Sequence, residues 1–593
     1  MSYTMKALGK FLLFLTVFVH VVVPFVCVSP LTALAADPPA PTWGRTGCHA
    51  GFKFCANVTT KESWSEDGEN VYFFLDVVVD GTDVNKASTT VWYVGDNFDL
   101  GWATDLSKES FDVVRFLPRG SEFAYPQITC NPDYYSVADH CLPNASCAAE
   151  IACSGLNMTH YSTTETAKDI LWVLNTLGKG RQNVLLSEGL GNFVVQRLLE
   201  MGESLKDLSV IMAGFTHPGY FDLFRSIRGY DEAMQRLLAF CEEDETARCV
   251  SHVGALEGMW NRLVNVMRAA EANTLPCNSR LDWGIDPTNM HREYRALLAT
   301  MLKKPQHLLM LSEWELPQLI PSFIYRLQRC AEKDQAALNH LYVALHSEER
   351  APCPLSVPQR YNWLVNELTL TRPPLSPEDL FAEALADRLV LPSLKDLQKM
   401  YDMYTAYPKY DAAPAVVVAA KVPLLLLLSD VDPVFPLGMA ALASTLYDAT
   451  LRLLPHQSSF PVASSASSCI KKNLIYFRAH LGWADAGQCQ VDATYNLNFI
   501  NFNAYEFYRV SDPWEFTTPN MPEPTVAQST TTTTTTTATP HESDTKERFK
   551  KAVVVLTILL LVALLGLSGV TYLYVKRTEL FKFSDDFYSN LNR

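Results

Sequence analysis

The sequence predicts an α/β fold in which a parallel sheet is covered by helices on both faces. Short apolar runs rich in β-branched residues alternate with segments whose apolar residues recur at helical spacing, a pattern typical of such a sheet. In addition, the apolar run 184–186 leads through the pentapeptide 187–191, which begins and ends with a small residue, to an amphipathic run, 194–200. This stretch predicts a strand, a sharp turn and a helix.

Local patterns predict the elements that precede and follow this turn. Runs rich in β-forming residues predict strands over residues 71–79, 89–94, 111–114 and 208–213. Residues 164–177 carry apolar side chains at helical spacing, which predicts a helix that packs on the sheet just before the turn.

Residues 221–410 mainly show helical periodicity, interrupted by prolines. The predicted helices cover residues 232–240, 256–272, 292–302, 323–345 and 394–404. We expect this insertion to form a helical cap over one end of the sheet, where it makes a covered cavity or a partner-binding face.

The turn after the 184–186 run has two possible registers. If Ser187 were its apex, the bulky Leu185 would lie two residues earlier, where the turn needs a small residue, and the strand would lose its last residue. With Gly189 at the apex, both flanking residues, Ser187 and Gly191, are small and the strand stays intact. Glycine also adopts a positive φ without strain. We therefore favour Gly189 as the apex and keep Ser187 as the outside candidate for a nucleophile.

Several segments lie in the order of a known family. Segments 111–120 and 164–178 precede the turn, and segments 422–436 and 455–478 follow the helical insertion. Together they resemble the tripeptidyl aminopeptidase and prolyl iminopeptidase branch of the α/β-hydrolase fold, over most of residues 85–485. The resemblance implies an α/β-hydrolase sheet with an inserted helical cap.

The resemblance also implies a catalytic triad in the order Gly189, Asp432, His456, with the nucleophile position vestigial. Asp432 would orient the imidazole, and His456 would accept the proton of a nucleophile. Each residue has a plainer interpretation, since Asp-Pro after a buried strand is a common turn and a lone histidine after proline usually lies in a surface loop.

Two departures from the family argue against activity. Gly189 has no attacking oxygen, and removal of a triad serine lowers kcat by about 10⁶. The oxyanion donors would be the backbone N–H of Leu190 and the loop that begins at Gly95. That loop carries Asp96 and Asp99, and their carboxylates would oppose a developing negative charge.

Both ends of the chain predict membrane targeting. Lysines precede a long apolar stretch in residues 1–36, which indicates a secretory signal peptide or, as an alternative, an uncleaved anchor. The 24-residue apolar run 552–575 is long enough to span a bilayer. A cleaved signal would give a single-pass type I topology.

The predicted order is signal peptide 1–36, N-terminal half of the α/β-hydrolase core 37–218, helical cap 219–412, C-terminal half of the core 413–516, Pro/Thr-rich stalk 517–551, transmembrane helix 552–575 and cytoplasmic tail 576–593.

The cysteines fit an oxidising compartment. Of the 14 cysteines, one lies in the leader and the others, from Cys48 to Cys489, are predicted to form disulfides. Their odd number leaves at least one free or shared between chains. Plausible short loops join Cys48 to Cys55, Cys147 to Cys153 and Cys241 to Cys249, although connectivity does not follow from sequence.

N-glycosylation sequons at Asn57, Asn144 and Asn157 fit the same compartment. The tail motif Tyr588-Ser589-Asn590-Leu591 resembles endocytic and lysosomal sorting signals. The predicted location is therefore a cell-surface or endolysosomal membrane, with the globular part extracellular or lumenal.

Composition and motifs limit the classes of partner and cofactor that we expect for this chain. A net charge of −15 argues against a nucleic-acid partner. No spacing of metal ligands and no phosphate-binding fingerprint is found in the sequence, so no metal and no cofactor is expected. The expected partners are the membrane and a peptide or protein ligand.

Two functions remain open at this point. The first is a type I membrane glycoprotein whose α/β-hydrolase ectodomain is catalytically degenerate, a pseudoenzyme that acts in binding or interaction. The alternative is an active membrane-anchored serine hydrolase or exopeptidase, which would use Ser187, or a water activated by His456, to cleave N-terminal residues from peptides.

Overall fold

The structure of the protein is a computed structural model that describes parts of residues 42–514. The described residues are 42–45, 48–49, 52–64, 70–80, 87–95, 100–121, 123–130, 135–136, 142–201, 208–215, 229–243, 258–303, 315–346, 357–369, 376–412, 422–434, 437, 447–458, 467–483, 499, 504–510 and 512–514. They all belong to one compact unit, residues 1–520.

An eight-stranded sheet organises this unit, in the order β1-β2-β4-β3-β7-β8-β9-β10. Its strands are β1 (Phe54–Lys61), β2 (Asn70–Val78), β3 (Thr89–Val94), β4 (Phe111–Leu117), β7 (Gln182–Glu188), β8 (Leu208–Ala213), β9 (Leu424–Val431) and β10 (Thr450–Ser458). Strand β2 pairs antiparallel with its neighbours β1 and β4. The other described pairings within this sheet are parallel. A separate antiparallel pair joins β5 (Tyr135–Ser136) and β6 (Leu142–Pro143).

Helices cover both faces of the sheet. The described helices outside the β8–β9 insertion are α1 (Leu100–Lys108), α2 (Ala145–Cys153), α3 (Thr163–Thr176), α4 (Gly191–Glu200), α14 (Ser467–His480) and the short α15 (Tyr505–Tyr508), and a 3₁₀ helix covers Met158–Tyr161. Helices α3 and α4 share one hydrophobic core with one face of the sheet, and α1 and α14 share another core with the opposite face. The predicted α/β sheet with surrounding helices is confirmed.

The central strands are apolar on both faces. Every residue of β3, β8 and β9 is buried. In β7, Val184 and Leu186 pack on the α1 and α14 side, whereas Leu185 packs on the α3 and α4 side. Continuous apolar runs of this kind are expected where helices cover a parallel sheet on both sides.

The chain between β8 and β9 is helical. Its described helices are α5 (Gly229–Glu243), α6 (Met259–Glu271), α7 (Cys277–Arg280), α8 (Met290–Lys303), α9 (Glu315–Arg329), α10 (Glu332–His346), α11 (Val357–Trp363), α12 (Pro377–Asp387) and α13 (Leu394–Ala406), with a 3₁₀ turn at Pro287–Asn289 and a π-helix at Leu364–Leu368. Most of them share a core of their own.

The single helix predicted over residues 323–345 is wrong. The chain forms α9 and α10 instead, because Cys330 between them adopts a left-handed φ of 47° and is bonded to Cys277. The Arg326 guanidinium donates to the Asp334 carboxylate across this break, over 2.9 Å. The disulfide and the ion pair therefore fix a corner that the apolar periodicity does not reveal.

A buried ion pair attaches α3 to the end of β4. Arg119 is fully buried, and its Nε and Nη2 donate to the Asp169 carboxylate over 2.7 and 2.5 Å. The Asp169 carboxylate also accepts from the indole N–H of Trp64 at 2.8 Å. The segments matched to the family, 111–120 and 164–178, thus contact each other through this pair.

Disulfides close loops in both the sheet and the insertion. Cys48 pairs with Cys55, as one of the plausible loops suggested. The suggested Cys147–Cys153 loop is wrong, because Cys147 pairs with Cys130. Cys241 is also disulfide-bonded.

The predicted signal peptide, stalk, transmembrane run and cytoplasmic tail lie outside the described residues. Within the described part of the chain, no helix is both long enough and apolar enough to cross a bilayer.

Candidate functional site

The turn after β7 is the centre of the candidate site. Strand β7 ends at Glu188, Gly189 follows with a φ of 59°, and α4 begins at Gly191. The turn is closed by the N–H of Asn192, which donates to the carbonyl of Gly189 over 3.2 Å. The left-handed residue between strand and helix is therefore Gly189, the position that the sequence assigned to the apex.

The turn is pressed against the end of β3. A Cβ placed on Gly191 would lie 2.1 Å from the carbonyl oxygen of Val94. A Cβ on Gly95, the residue after β3, would lie 2.6 Å from the Tyr93 hydroxyl oxygen. Both glycines are thus needed for close packing, and they put the start of the 95–99 loop beside the turn.

Ser187 does not point out of the turn. Its side chain is fully buried, and its hydroxyl donates to Asn192 Oδ1 over 2.6 Å. Asn192 Nδ2 in turn donates to the carbonyls of Ala213 and Gly214. Ser187 therefore belongs to a polar network that joins the ends of β7 and β8.

The two predicted oxyanion donors lie next to the turn. Leu190 is the residue that precedes α4, and Gly95 follows β3, which pairs directly with β7. Between these strands, the carboxylate of Glu188 accepts from the hydroxyl of Tyr93 over 2.8 Å. A buried carboxylate beside the turn is unfavourable for a developing oxyanion. Residues 96–99 lie outside the described chain.

Asp432 follows the last residue of β9 and is buried. Its Oδ1 accepts a 2.8 Å hydrogen bond from the N–H of Val434, which makes it the first residue of an Asx turn. Asp432 also contributes to the raised pKa of Tyr230, although burial of that phenol is the main cause. The acid predicted for the triad therefore lies at the same edge of the sheet as Gly189, at the carboxyl end of a strand two positions away.

The structure places His456 within a strand and not in the surface loop that its plainer interpretation implied. It lies in β10, in the stretch where the pairing with β9 shifts register between Leu454 and Ser458. Strand β10 is three strands from β7, which corresponds to about 14 Å across a sheet. The His456 side chain lies outside the described part of the structure.

An apolar cluster lies against the turn. Leu190 and Phe193 pack with Leu364 and Leu368 of the π-helix and with Val434, beside Asp432. The π-helix of the insertion therefore contacts the segment next to Gly189. Helices of this type are often found at functional sites, and no pattern in the sequence predicted this one.

Glu367 lies on the same π-helix and binds the core. Its carboxylate accepts from the N–H of Thr163 at 2.7 Å and also from the Thr163 hydroxyl, at the N-terminus of α3. The Tyr410 hydroxyl donates to it over 2.7 Å, and Arg197 Nε lies 4.0 Å away. Burial raises the pKa of Glu367, and these contacts oppose the shift.

The predicted sequons are accessible. The asparagine side chains at positions 57, 144 and 157 are all exposed. Asn144 and Asn157 each use Oδ1 to cap a helix, accepting from Cys147 N and Thr159 N. Glycan attachment to Nδ2 is compatible with these contacts. Within the described ranges, no group of three or more His, Cys, Asp or Glu side chains could hold a metal ion.

Comparisons with known proteins add only distant likenesses. No protein family model and no curated protein sequence matches the chain. An epoxide hydrolase from Vigna radiata is similar with a TM-score of 0.31 and 12% identity, over 71% of this chain and 97% of that one. A bromoperoxidase from Bacillus anthracis gives a TM-score of 0.29 and 11% identity, over 71% and 99%. A laboratory-evolved variant of potato epoxide hydrolase gives 0.30 and 9%, over 72% and 99%. Likenesses this remote transfer neither an activity nor a substrate to this chain.

Proposed function

We propose that the chain is a type I membrane glycoprotein whose ectodomain, derived from the tripeptidyl aminopeptidase and prolyl iminopeptidase branch, binds a peptide or protein ligand without hydrolysing it. The observation that carries this proposal is Gly189. It occupies the left-handed position between β7 and α4, where an α/β-hydrolase presents its nucleophile. A glycine there supplies no attacking atom.

The position of Ser187 supports the same conclusion. A nucleophilic serine needs an accessible oxygen within reach of a base. The Ser187 hydroxyl is buried and committed to Asn192. A serine hydrolase built on Ser187 would have to break that bond and turn the side chain out of the core.

The surroundings of the turn favour a binding role. The apolar cluster around Leu190 and Leu368 lies next to Gly189, and the residue before Gly189, Glu188, has a buried carboxylate that accepts a hydrogen bond from Tyr93. Apolar walls with a few polar groups are typical of ligand pockets. The proposed ligand is a peptide or protein segment that places an apolar side chain against the partly buried Leu190 and Leu364.

Labelling with a fluorophosphonate tests the absence of a nucleophile. We expect the full chain, produced in a secretory host, to form no adduct under conditions in which an active serine hydrolase in the same sample is labelled completely. Stoichiometric labelling that maps to Ser187 and is abolished by Ser187→Ala would establish the enzyme alternative. Gly189→Ser serves as a probe of the remaining machinery, since an adduct at position 189 would show that a base still reaches the turn.

The membrane arrangement has a separate test. Protease treatment of sealed vesicles should remove only the predicted tail 576–593 and protect the glycosylated remainder. A chain released from vesicles by alkaline washing would contradict the predicted membrane span 552–575.

A further inference from the structure

A polar pocket of about 370 Å³ opens beside the N-terminus of α3. Glu165 and Lys168 of α3 form one wall, and Tyr410 and Asp411, which follow α13 in the chain, form another. Glu367 of the π-helix also lines it. The pocket therefore lies between helix α3 of the core and two parts of the insertion, the π-helix and the segment after α13.

Asn157 contributes to the wall of this pocket, and its orientation is fixed. Its Oδ1 accepts from the N–H of Thr159 over 3.2 Å. Its Nδ2 therefore faces His160, whose Nε2 lies 3.1 Å away. Glu62 Oε1 lies 3.2 Å from His160 Nδ1. The atom that would carry an N-linked glycan is thus held against the pocket.

The lining suits a sugar ring. Carboxylates such as Asp411 accept hydrogen bonds from hydroxyl groups, and the Lys168 ammonium, which already donates to Glu165 over 2.6 Å, has further N–H groups to donate to a neutral polyol. The volume is near the lower end of the range for ligand pockets. A single monosaccharide matches this size better than an extended chain.

We propose that the first sugar of an N-linked glycan on Asn157 docks in this pocket and bridges α3 to residues 410–412. The inference rests on the proposed passage of the chain through the secretory route. There the glycan would be transferred from a lipid diphosphate-linked oligosaccharide. The lipid diphosphate leaves, one amide proton of Nδ2 is lost to a base, and the remaining N–H still donates to His160.

Removal of the glycans from the folded chain tests the docking. An amidase that cleaves the bond between the first sugar and asparagine needs access to that sugar. We expect release at Asn157 to be about 10-fold slower than at Asn144, a docking free energy of about 1.4 kcal/mol. Asn144 is the matched control, because it is also an exposed helix-capping asparagine. Mass spectrometry of the resulting aspartates gives both rates.

Two variants assign the protection to the pocket. Ala412→Trp fills the pocket from its wall, and Asp411→Ala removes a side chain that is exposed and lines it. Either variant should raise the rate at Asn157 towards the rate at Asn144 and leave Asn144 unchanged. Equal rates in the unmodified chain, or no response to both variants, would refute the docking.

The occupancy of the sequons separates the two proposals. If Asn57 and Asn144 carry glycans and Asn157 does not, the docking is wrong and the secretory assignment stands. If none of the three sites is occupied in the chain isolated from its own cells, the secretory assignment itself fails.

Discussion

The Ser187 hydroxyl donates a 2.6 Å hydrogen bond to Asn192 Oδ1 behind the turn at Gly189. Asn192 also donates to Ala213 O over 2.8 Å, so the serine belongs to a link between neighbouring strands. We expect Ser187→Ala to lower the free energy of unfolding by about 1–3 kcal/mol, because the Asn192 oxygen loses its donor in a buried site.

Urea denaturation gives that difference, with Ser88→Ala as the control at an exposed serine. The control should change stability by less than about 0.5 kcal/mol. A Ser187→Ala variant as stable as the unmodified chain would show that the hydroxyl has no structural role there.

Gly191→Ala should be strongly destabilising. The added Cβ would lie 2.1 Å from the Val94 carbonyl oxygen, which is backbone and cannot turn away. We expect a loss of about 3 kcal/mol. Gly482→Ala is the matched control, because nothing lies within 4 Å of its Cβ. Thermal unfolding of both variants measures the contrast, and similar midpoints would mean that β3 and α4 are not packed this closely.

Arg119→Ala should lower the free energy of unfolding more than the loss of a surface ion pair does. It leaves Asp169 buried without its guanidinium, and breaking a buried pair costs about 3–5 kcal/mol. Lys108→Ala removes an exposed pair with Asp105 and should leave the urea midpoint unchanged. An equal effect of the two substitutions would contradict the burial of Arg119.

Glu367 should make the chain more stable in acid. Because burial raises its pKa above the ordinary 4.5, the folded state binds the proton more tightly than the unfolded state. Its contribution to stability is complete below the unfolded pKa and is lost as pH rises through the folded pKa.

The measurement is the thermal midpoint at pH 4 and pH 7.5, for the unmodified chain and for Glu367→Gln. The amide has no charge to desolvate, so the variant should lose less stability between the two conditions. If both proteins respond identically to pH, the carboxylate does not titrate in the way proposed.

The disulfides should differ in how much they contribute to the free energy of unfolding, because they close loops of different length. Cys277 and Cys330 are 53 residues apart, whereas Cys48 and Cys55 are 7 apart. By loop entropy alone, replacing the first pair by serine should cost about 4 kcal/mol and the second about 2.5 kcal/mol. Urea titrations of the two double variants measure this order, and the reverse order would show that local packing outweighs chain entropy.

Local patterns predicted the central sheet well. Strands Thr89–Val94 and Leu208–Ala213 end where the sequence placed them, because both are fully buried runs bounded by polar segments. The strand Phe54–Lys61 was not predicted, since it is defined by antiparallel pairing with β2. Its own sequence, FCANVTTK, is a weak strand pattern.

The candidate site was less predictable from sequence. Glu367 meets Thr163 across 204 positions of the chain, and no local pattern signals such a contact. The strand that contains His456 also includes Pro455, which argues against strand except at an edge. Strand β10 is an edge strand of the sheet, so its position in the fold explains why a strand forms there despite the proline.

The left-handed glycine at position 189 has an evolutionary consequence. Any L-amino acid with a side chain would carry about 1–2 kcal/mol of backbone strain at its φ of 59°. Under the proposed binding role, a lineage not selected for turnover would gain stability by keeping glycine at this position. Return of a side chain at position 189 would then be opposed by the backbone strain.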